Sequence, residues 1–246
     1  MEPARKITRE ASVCARRKFG GYKPETPKIV RVAKVKEKKS LETITEAFGE
    51  YISTVRDIGC YEDTYLQQKI AFLLLKNRRF SVKDLDVFLH IYEQEMAERE
   101  GWTRDKVAAF ISGMINASKA RNFKLGGIVL DFKDSLGVGN TKNVEIQGDV
   151  GVAAFSKMKS GVVLINGNAG NGLGWCMRGG KITVRGDLKV PRAHYYSVNT
   201  ARDMVGGEIH LEGDIISPRG PTTARYLFES VKHGRIYHKG ELIVDK

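Results

Sequence analysis

Five histidines, three cysteines and a series of regularly spaced carboxylates are the residues of this 246-residue chain that could catalyse or hold a metal. His90, His194, His210, His233 and His238 form no His-x-x-x-His pair, the spacing that places two imidazoles on one helix face, so a metal site is not expected. Cys14, Cys60 and Cys176 are too far apart, and odd in number, for a disulfide framework or a zinc site. Cys176 lies between Trp175 and Met177 with no base beside it, and reads as a structural thiol rather than a nucleophile. Asp149, Asp187 and Asp214 each follow a glycine of the same repeat, so they form a ladder rather than an acid–base pair. Stacked carboxylates can bind a cation, but turns in water are the expected setting. The segment Gly167-Asn168-Ala169-Gly170-Asn171-Gly172-Leu173-Gly174 imitates a phosphate-cradling loop. A dinucleotide loop opens a long helix, whereas only Trp175 to Arg178 separate this run from the next Gly-Gly, and no Gly-Lys-Ser/Thr is present. Neither catalytic residues nor a cofactor are expected; a weaker enzyme reading centres on His194, Tyr195 and Tyr196.

Two regions carry side chains suited to a partner. The first 40 residues hold Arg5, Lys6, Arg9, Arg16, Arg17, Lys18, Lys23, Lys28, Arg31, Lys34, Lys36, Lys38 and Lys39, with Phe19 and Tyr22 among them. Cations mixed with aromatic rings are what single-stranded nucleic acid contacts require. The net charge of the chain is +12. By residue count, +9 of it lies in residues 1–40, −2 in 41–121 and +5 in 122–246. This is a basic arm on a nearly neutral body, not a uniformly basic domain. The second region comprises two insertions, 188–203 with Arg192, His194, Tyr195 and Tyr196, and 215–232 with Arg219 and Arg225. They are a candidate partner surface.

The elements behind these residues change character along the chain. Residues 1–40 read as an extended arm with few apolar groups to bury. Residues 41–122 read as a helical domain of about four helices. A capping box at Thr43 and Glu46 starts the first, which stops near Gly59. The second runs from Thr64 to Arg79 with Leu66, Ile70, Leu73 and Leu74 on its apolar face. Ser81 and Thr103 cap the third and fourth. From residue 123 the helical period stops and a repeat begins. Gly148, Gly167, Gly186, Gly213 and Gly240 each follow a short strand pattern; the 19- and 27-residue spacings leave two units with insertions. Val144, Val163, Ile182, Ile209 and Ile236 share one column, and Ile146, Ile165, Val184, Leu211 and His238 another, with polar residues between. That is period-two alternation with the apolar side inward. Met158, Met177, Met204 and Val231 fill a further column. Gly161, Gly180, Gly207 and Gly234 form one more, with Lys142 as its exception. The columns describe a coiled sheet, each rung bonded to the one below. Residues 126–130 look like an irregular first rung.

The pattern Gly167-Asn168-Ala169-Gly170-x3-Gly174-x2-Met177-x-Gly179-Gly180-x-Ile182-x-Val184-x-Gly186-Asp187, repeated as Met204-x-Gly206-Gly207-x-Ile209-x-Leu211-x-Gly213-Asp214, resembles the GXGXG right-handed β-helix domain. That domain ends the large polypeptide of glutamate synthase and also occurs in formylmethanofuran dehydrogenase. The resemblance covers about residues 125–246 and implies a scaffold without catalytic residues of its own.

The expected fold is therefore α+β, with a small helical region followed by a right-handed parallel β-helix. The expected function is that of a non-catalytic interaction protein whose arm docks on an anionic partner, RNA or a ribonucleoprotein such as the ribosome. The alternative is an accessory component of a glutamate synthase-like or formylmethanofuran dehydrogenase-like complex. A protein partner is expected, and a homodimer through an open end of the stack is allowed. No apolar run approaches the roughly 18 residues that span a bilayer, and no apolar leader opens the chain, so a cytoplasmic protein without membrane contact is expected.

Overall fold

The protein is described by a computed structural model for residues 27–58, 63–96, 104–126, 134–190, 200–217 and 227–246. It is a mixed α/β structure with four helices and a mostly parallel seven-stranded sheet among the described residues. Met1–Lys39 and Ser40–Lys246 are separate compact units.

The helices are α1 (Pro27–Thr54), α2 (Thr64–Leu75), α3 (Val82–Met96) and α4 (Arg104–Ala117). Helix α1 begins well before the expected start at Thr43, so the end of the segment expected to be extended is helical. Proline suits a first helical position, where its missing N–H has no intrahelical partner to lose, and the Lys, Glu, Ala and Arg that follow are good helix formers. Thr43 and Glu46 thus lie mid-helix and form no capping box. The cap expected at Ser81 does form, as a reciprocal box with Asp84. Ser81 N–H donates to Asp84 Oδ2 at 2.6 Å, and Asp84 N–H donates back to Ser81 Oγ at 3.3 Å. Asp84 Oδ1 also accepts from Ser40 Oγ at 2.6 Å, which ties α1 to the start of α3.

Helix α2 buries only part of the expected face, with Ile70 and Leu74 packed partly buried against the core, together with residues outside that face. Thr64, Gln67, Gln68, Ala71 and Leu75 are buried, while Leu66 and Leu73 are 48% and 57% exposed. The reason is close packing on α4, where a methyl added at Gly113 would lie 2.5 Å from Ala71 Cβ and 3.0 Å from the Phe72 amide nitrogen. Two helices that near each other need small residues, not leucines, at the contact. Around α4 the core is aromatic. Phe110 lies 4.9 Å from Phe48, 5.1 Å from Tyr51 and 5.5 Å from Phe88 between ring centroids. The Tyr51 hydroxyl donates to Lys106 O at 2.8 Å, satisfying a buried polar group.

The strands of the main sheet are β1 (Asn122–Gly126), β2 (Asn143–Gln147), β3 (Val162–Ile165), β5 (Lys181–Val184), β7 (Val205–Leu211), β9 (His233–His238) and β10 (Glu241–Asp245), in that spatial order. All neighbours are parallel except β9 and β10. A second, three-stranded parallel sheet contains β4 (Ala169–Gly170), β6 (Leu188–Lys189) and β8 (Ile215–Ile216). The register matches the sequence columns: Val144 pairs with Val163, Val163 with Ile182, Ile182 with Ile209, and Ile209 with Ile236. All five side chains are buried, as are Met158, Met177, Met204 and Val231. The first rung differs from the expected one. Its strand is β1, with Phe123 and Leu125 inward in register with Val144 and Ile146; residues 127–130 lie outside the described residues.

The repeat glycines are required by contact between rungs. A methyl on Gly167 would meet the carbonyl of Gly148 at 2.3 Å, one on Gly186 the Gly167 oxygen at 2.6 Å, and one on Gly213 the Gly186 oxygen at 2.3 Å. Gly148 and Gly240, at the ends of the column, would meet nothing within 4 Å. Lys142 departs from its column because only the irregular first rung lies beneath it. Its ammonium instead donates to Ser118 O at 2.9 Å, just beyond the C-terminus of α4. Gly49, by contrast, is a helical glycine with open space around it. Gly49→Ala should raise stability by about 0.5–1 kcal/mol, read as a higher urea midpoint with unchanged m-value.

The helical and repeat segments share one hydrophobic core. Helix α4 is joined to the first rungs: Ser112 Oγ accepts the Gly137 N–H at 2.9 Å, and Asn116 Oδ1 accepts the Thr141 N–H at 3.0 Å. At the other end β10 folds back antiparallel on β9 and closes the last parallel strand.

Candidate functional site

The six-residue turns 134–139, 152–157 and 171–176, and the corresponding residues 200–203, form one corner of the stack. Alternate residues there are left-handed, including Lys157 (φ 54°), Cys176 (φ 54°) and Asp203 (φ 55°). Such conformations are uncommon outside glycine and persist where surrounding bonds impose them. The Lys157 N–H donates to Trp175 O at 2.6 Å, Cys176 N–H to Arg202 O at 2.8 Å, and Asp203 N–H to Ser230 O at 3.1 Å. The side chains of this corner therefore leave from a hydrogen-bonded ladder.

Helix α2 brings Tyr65 to this corner. The ammonium groups of Lys69, Lys157 and Lys159 lie 4.6, 4.9 and 5.7 Å from the Tyr65 ring centroid. Lys157 Nζ also lies 5.7 Å from the Trp175 ring. Burial pushes the Tyr65 phenol up. A hydrogen bond with Lys159 and the positive field of Lys159, Lys69 and Arg178 outweigh burial and hold it below its ordinary value. Sequence reasoning missed this cluster. Lys159 and Arg178 do share a column, but no periodic signal links a rung to a tyrosine on a helix.

Cys176, on the same corner, is half-buried. Burial pushes its thiol up, the nearby Asp203 carboxylate adds to this, and Lys157, Lys232 and Arg178 oppose it. A thiol held protonated is a poor nucleophile. Full-chain Cys176 should therefore alkylate with iodoacetamide several-fold more slowly at pH 7.5 than after denaturation, as followed by mass spectrometry of its peptide.

The carboxylate ladder has a structural role that differs from the expected one. Asp149 Oδ1 accepts the Asn168 N–H at 2.9 Å and Asn168 Nδ2 at 3.0 Å. Asn168 Oδ1 accepts the Asp187 N–H at 2.8 Å, and Asp187 Oδ1 accepts the Asp214 N–H at 2.9 Å. Each side chain thus caps the amide one rung on, rather than its own turn. Lys239 Nζ ends the series on Asp214 Oδ1 at 2.6 Å. That hydrogen bond, then the charge of Lys239, holds the Asp214 carboxyl below its usual range. Its stabilising effect is present above the ordinary carboxylate pKa and is lost as pH falls through the depressed value. Asn168 is the only uncharged member between Asp149 and Asp187. Asn168→Asp should cost about 1–3 kcal/mol at pH 7, since it removes a donor and stacks like charges. The penalty should shrink as pH falls towards 4, measured as the difference in urea midpoint from the natural chain.

The remaining candidates are placed as follows. The 167–174 glycines pack against protein rather than framing a cavity: a methyl on Gly174 would meet Ile209 Cδ1 at 2.9 Å, and one on Gly170 the Gly151 carbonyl carbon at 2.6 Å. His210 stacks on Tyr237 at 4.3 Å, and its Nε2 lies 3.1 Å from Glu208 Oε2. His238 Nε2 lies 3.1 Å from Gly213 O and borders an open groove of about 720 Å³ with Phe228, Ile243 and Lys246. Among the described residues, no group of three or more His, Cys, Asp or Glu could hold a metal ion. None of the described helices is long and apolar enough to cross a membrane.

The partner candidates are less visible. Arg5, Lys6, Arg9, Arg16, Arg17, Lys18, Phe19, Tyr22 and Lys23 lie outside the described residues, as do Arg192, His194, Tyr195, Tyr196, Arg219 and Arg225. Lys28, Arg31, Lys34, Lys36, Lys38 and Lys39 fall on α1. In comparisons with known proteins, no family model, no curated protein and no solved structure matches this chain.

Proposed function

We propose that this chain is a non-catalytic scaffold that docks on RNA or a ribonucleoprotein through its basic N-terminal segment. The observation that carries the reading is the charge partition: the body is nearly neutral, and most of the excess positive charge lies in the first 40 residues together with Phe19 and Tyr22. In this reading the carrier of the segment is a right-handed parallel β-helix of the GXGXG kind. Parallel strands returning rung by rung to two sheets support that architecture, and parallel crossovers are almost always right-handed. The inter-rung capping at Asp149, Asn168 and Asp187 supports a rigid body.

The test is a salt titration of full-chain binding to a fluorescent single-stranded RNA, read by anisotropy. Counterion release makes log K fall linearly with log salt, with a slope of about −0.7 for each phosphate neutralised on a single strand. Five or more contacts should cost at least about 100-fold in affinity between 50 and 200 mM salt. Affinity that does not move with salt, or absence of binding at 50 mM, contradicts the reading.

A further inference from the structure

We propose that the Tyr65 corner of the folded body is a second RNA-binding site, where Tyr65 and Trp175 stack unpaired bases and Lys69, Lys157, Lys159 and Arg178 hold the phosphates. The choice of RNA rests on the function proposed above; the site itself rests on geometry.

Three ammonium groups converge on one ring, and one of them also faces a second ring. Significant cation–π pairs occur about once per 70–80 residues, so three on a single tyrosine is a concentration rather than background. None of the four cations has a carboxylate partner among the described residues. Elsewhere in the repeat the pattern is the opposite: Lys124 faces Glu145, Arg235 faces Glu208 and Lys239 faces Asp214, while on this corner the Asp203 carboxylate is taken by Lys232 and Arg202. Four unneutralised like charges repel one another, and an anion placed among them relieves that repulsion.

The platform is also preorganised. Lys157 and Trp175 leave from the hydrogen-bonded turn ladder, and Lys159 and Arg178 occupy equivalent positions in adjacent rungs, where the Arg178 N–H donates to Met158 O at 2.8 Å. Tyr65 is held against the first turn, where a methyl on Gly139 would lie 3.0 Å from its ring. Little ordering is left for the moment of binding. Aromatic stacking is worth roughly 5- to 150-fold in affinity per base. Tyr65 and Trp175 belong to different elements, α2 and a turn of the stack, so the site exists only in the folded body.

The experiment uses the full chain and a fluorescent 12-nucleotide oligouridylate. Lys159→Glu with Arg178→Glu changes two exposed side chains and should leave the thermal midpoint unchanged. Affinity at 100 mM salt should fall at least about 10-fold. In a Trp102→Phe background, oligouridylate should quench Trp175 fluorescence, and inorganic polyphosphate of equal charge should not. Wild-type affinity in the double variant, with affinity lost when the charges of residues 1–23 are removed, overturns this site and leaves the proposed function standing. Equal quenching by polyphosphate overturns the stacking platform. Affinity lost in the double variant but kept when the 1–23 charges are removed supports this site and overturns the arm. If the natural full chain binds no oligouridylate at 50 mM salt, both readings fall.

Discussion

Gly167→Ala should leave little folded protein at 37 °C. The new methyl would sit 2.3 Å from the carbonyl carbon and oxygen of Gly148, and both are backbone. No rotamer can move out of the way, so the rungs would have to separate, and the strand pairs Val144–Val163 and Ile146–Ile165 lie just before the contact. Overpacking a core with flexible neighbours costs about 1–3 kcal/mol. A backbone clash in a stack exceeds that range, and about 4 kcal/mol or more is expected, against a total stability of 5–15 kcal/mol for a typical domain. The control is Gly148→Ala in the same column. Nothing lies within 4 Å of its added methyl, but its φ of 128° penalises any side chain. That strain should cost about 1–3 kcal/mol. Urea titrations followed by circular dichroism check the pair. If both variants lose the same stability, glycine conformation and not rung contact explains the column.

The second large effect concerns the arm. Replacing Arg5, Lys6, Arg9, Arg16, Arg17, Lys18 and Lys23 by serine removes much of the local charge excess and leaves α1 whole. If each of these side chains neutralises a phosphate, RNA affinity at 100 mM salt should drop at least about 100-fold, and the slope of log K against log salt should flatten by several units. The melting temperature of the body should stay within about 2 °C, because Ser40–Lys246 is a compact unit of its own. Unchanged affinity and slope would move the anion-binding surface off the arm altogether.

Much of the repeat was legible because a stack reuses its environment. The Ile/Val and Met columns recur at fixed offsets from glycine since each rung sees the same neighbours above and below. The helices were legible where local chemistry is decisive, as in the box between Ser81 and Asp84. Local pattern misled where tertiary contact outweighs it. Leu66 and Leu73 belong to an apolar stripe whose Ile70 and Leu74 pack against the core, yet close approach of Ala71 to Gly113 leaves these two leucines exposed. Thr43 and Glu46 match a cap but sit inside a helix that begins at Pro27. The first rung departs from the repeat because its strand comes before the regular glycine spacing. Asp149, Asn168, Asp187 and Asp214 lie at the bends between strands rather than in turns, and the partners of the first three lie a whole rung away, a distance of 19 or 27 residues in sequence. The Tyr65 corner could not be read, because although Lys159 and Arg178 share a column, no period links them to a tyrosine more than 90 positions earlier on a helix.

Docking on RNA or on an RNA-containing particle is the property on which the proposed function stands. It is tested most directly by pulling the tagged full chain from its own cells at low salt, with half of each extract treated with nuclease. RNA and its associated proteins should co-purify from the untreated half and be lost after nuclease or at high salt. Metabolic enzymes retained in stoichiometric amounts regardless of nuclease would contradict it, and would make the chain an accessory part of an enzyme complex.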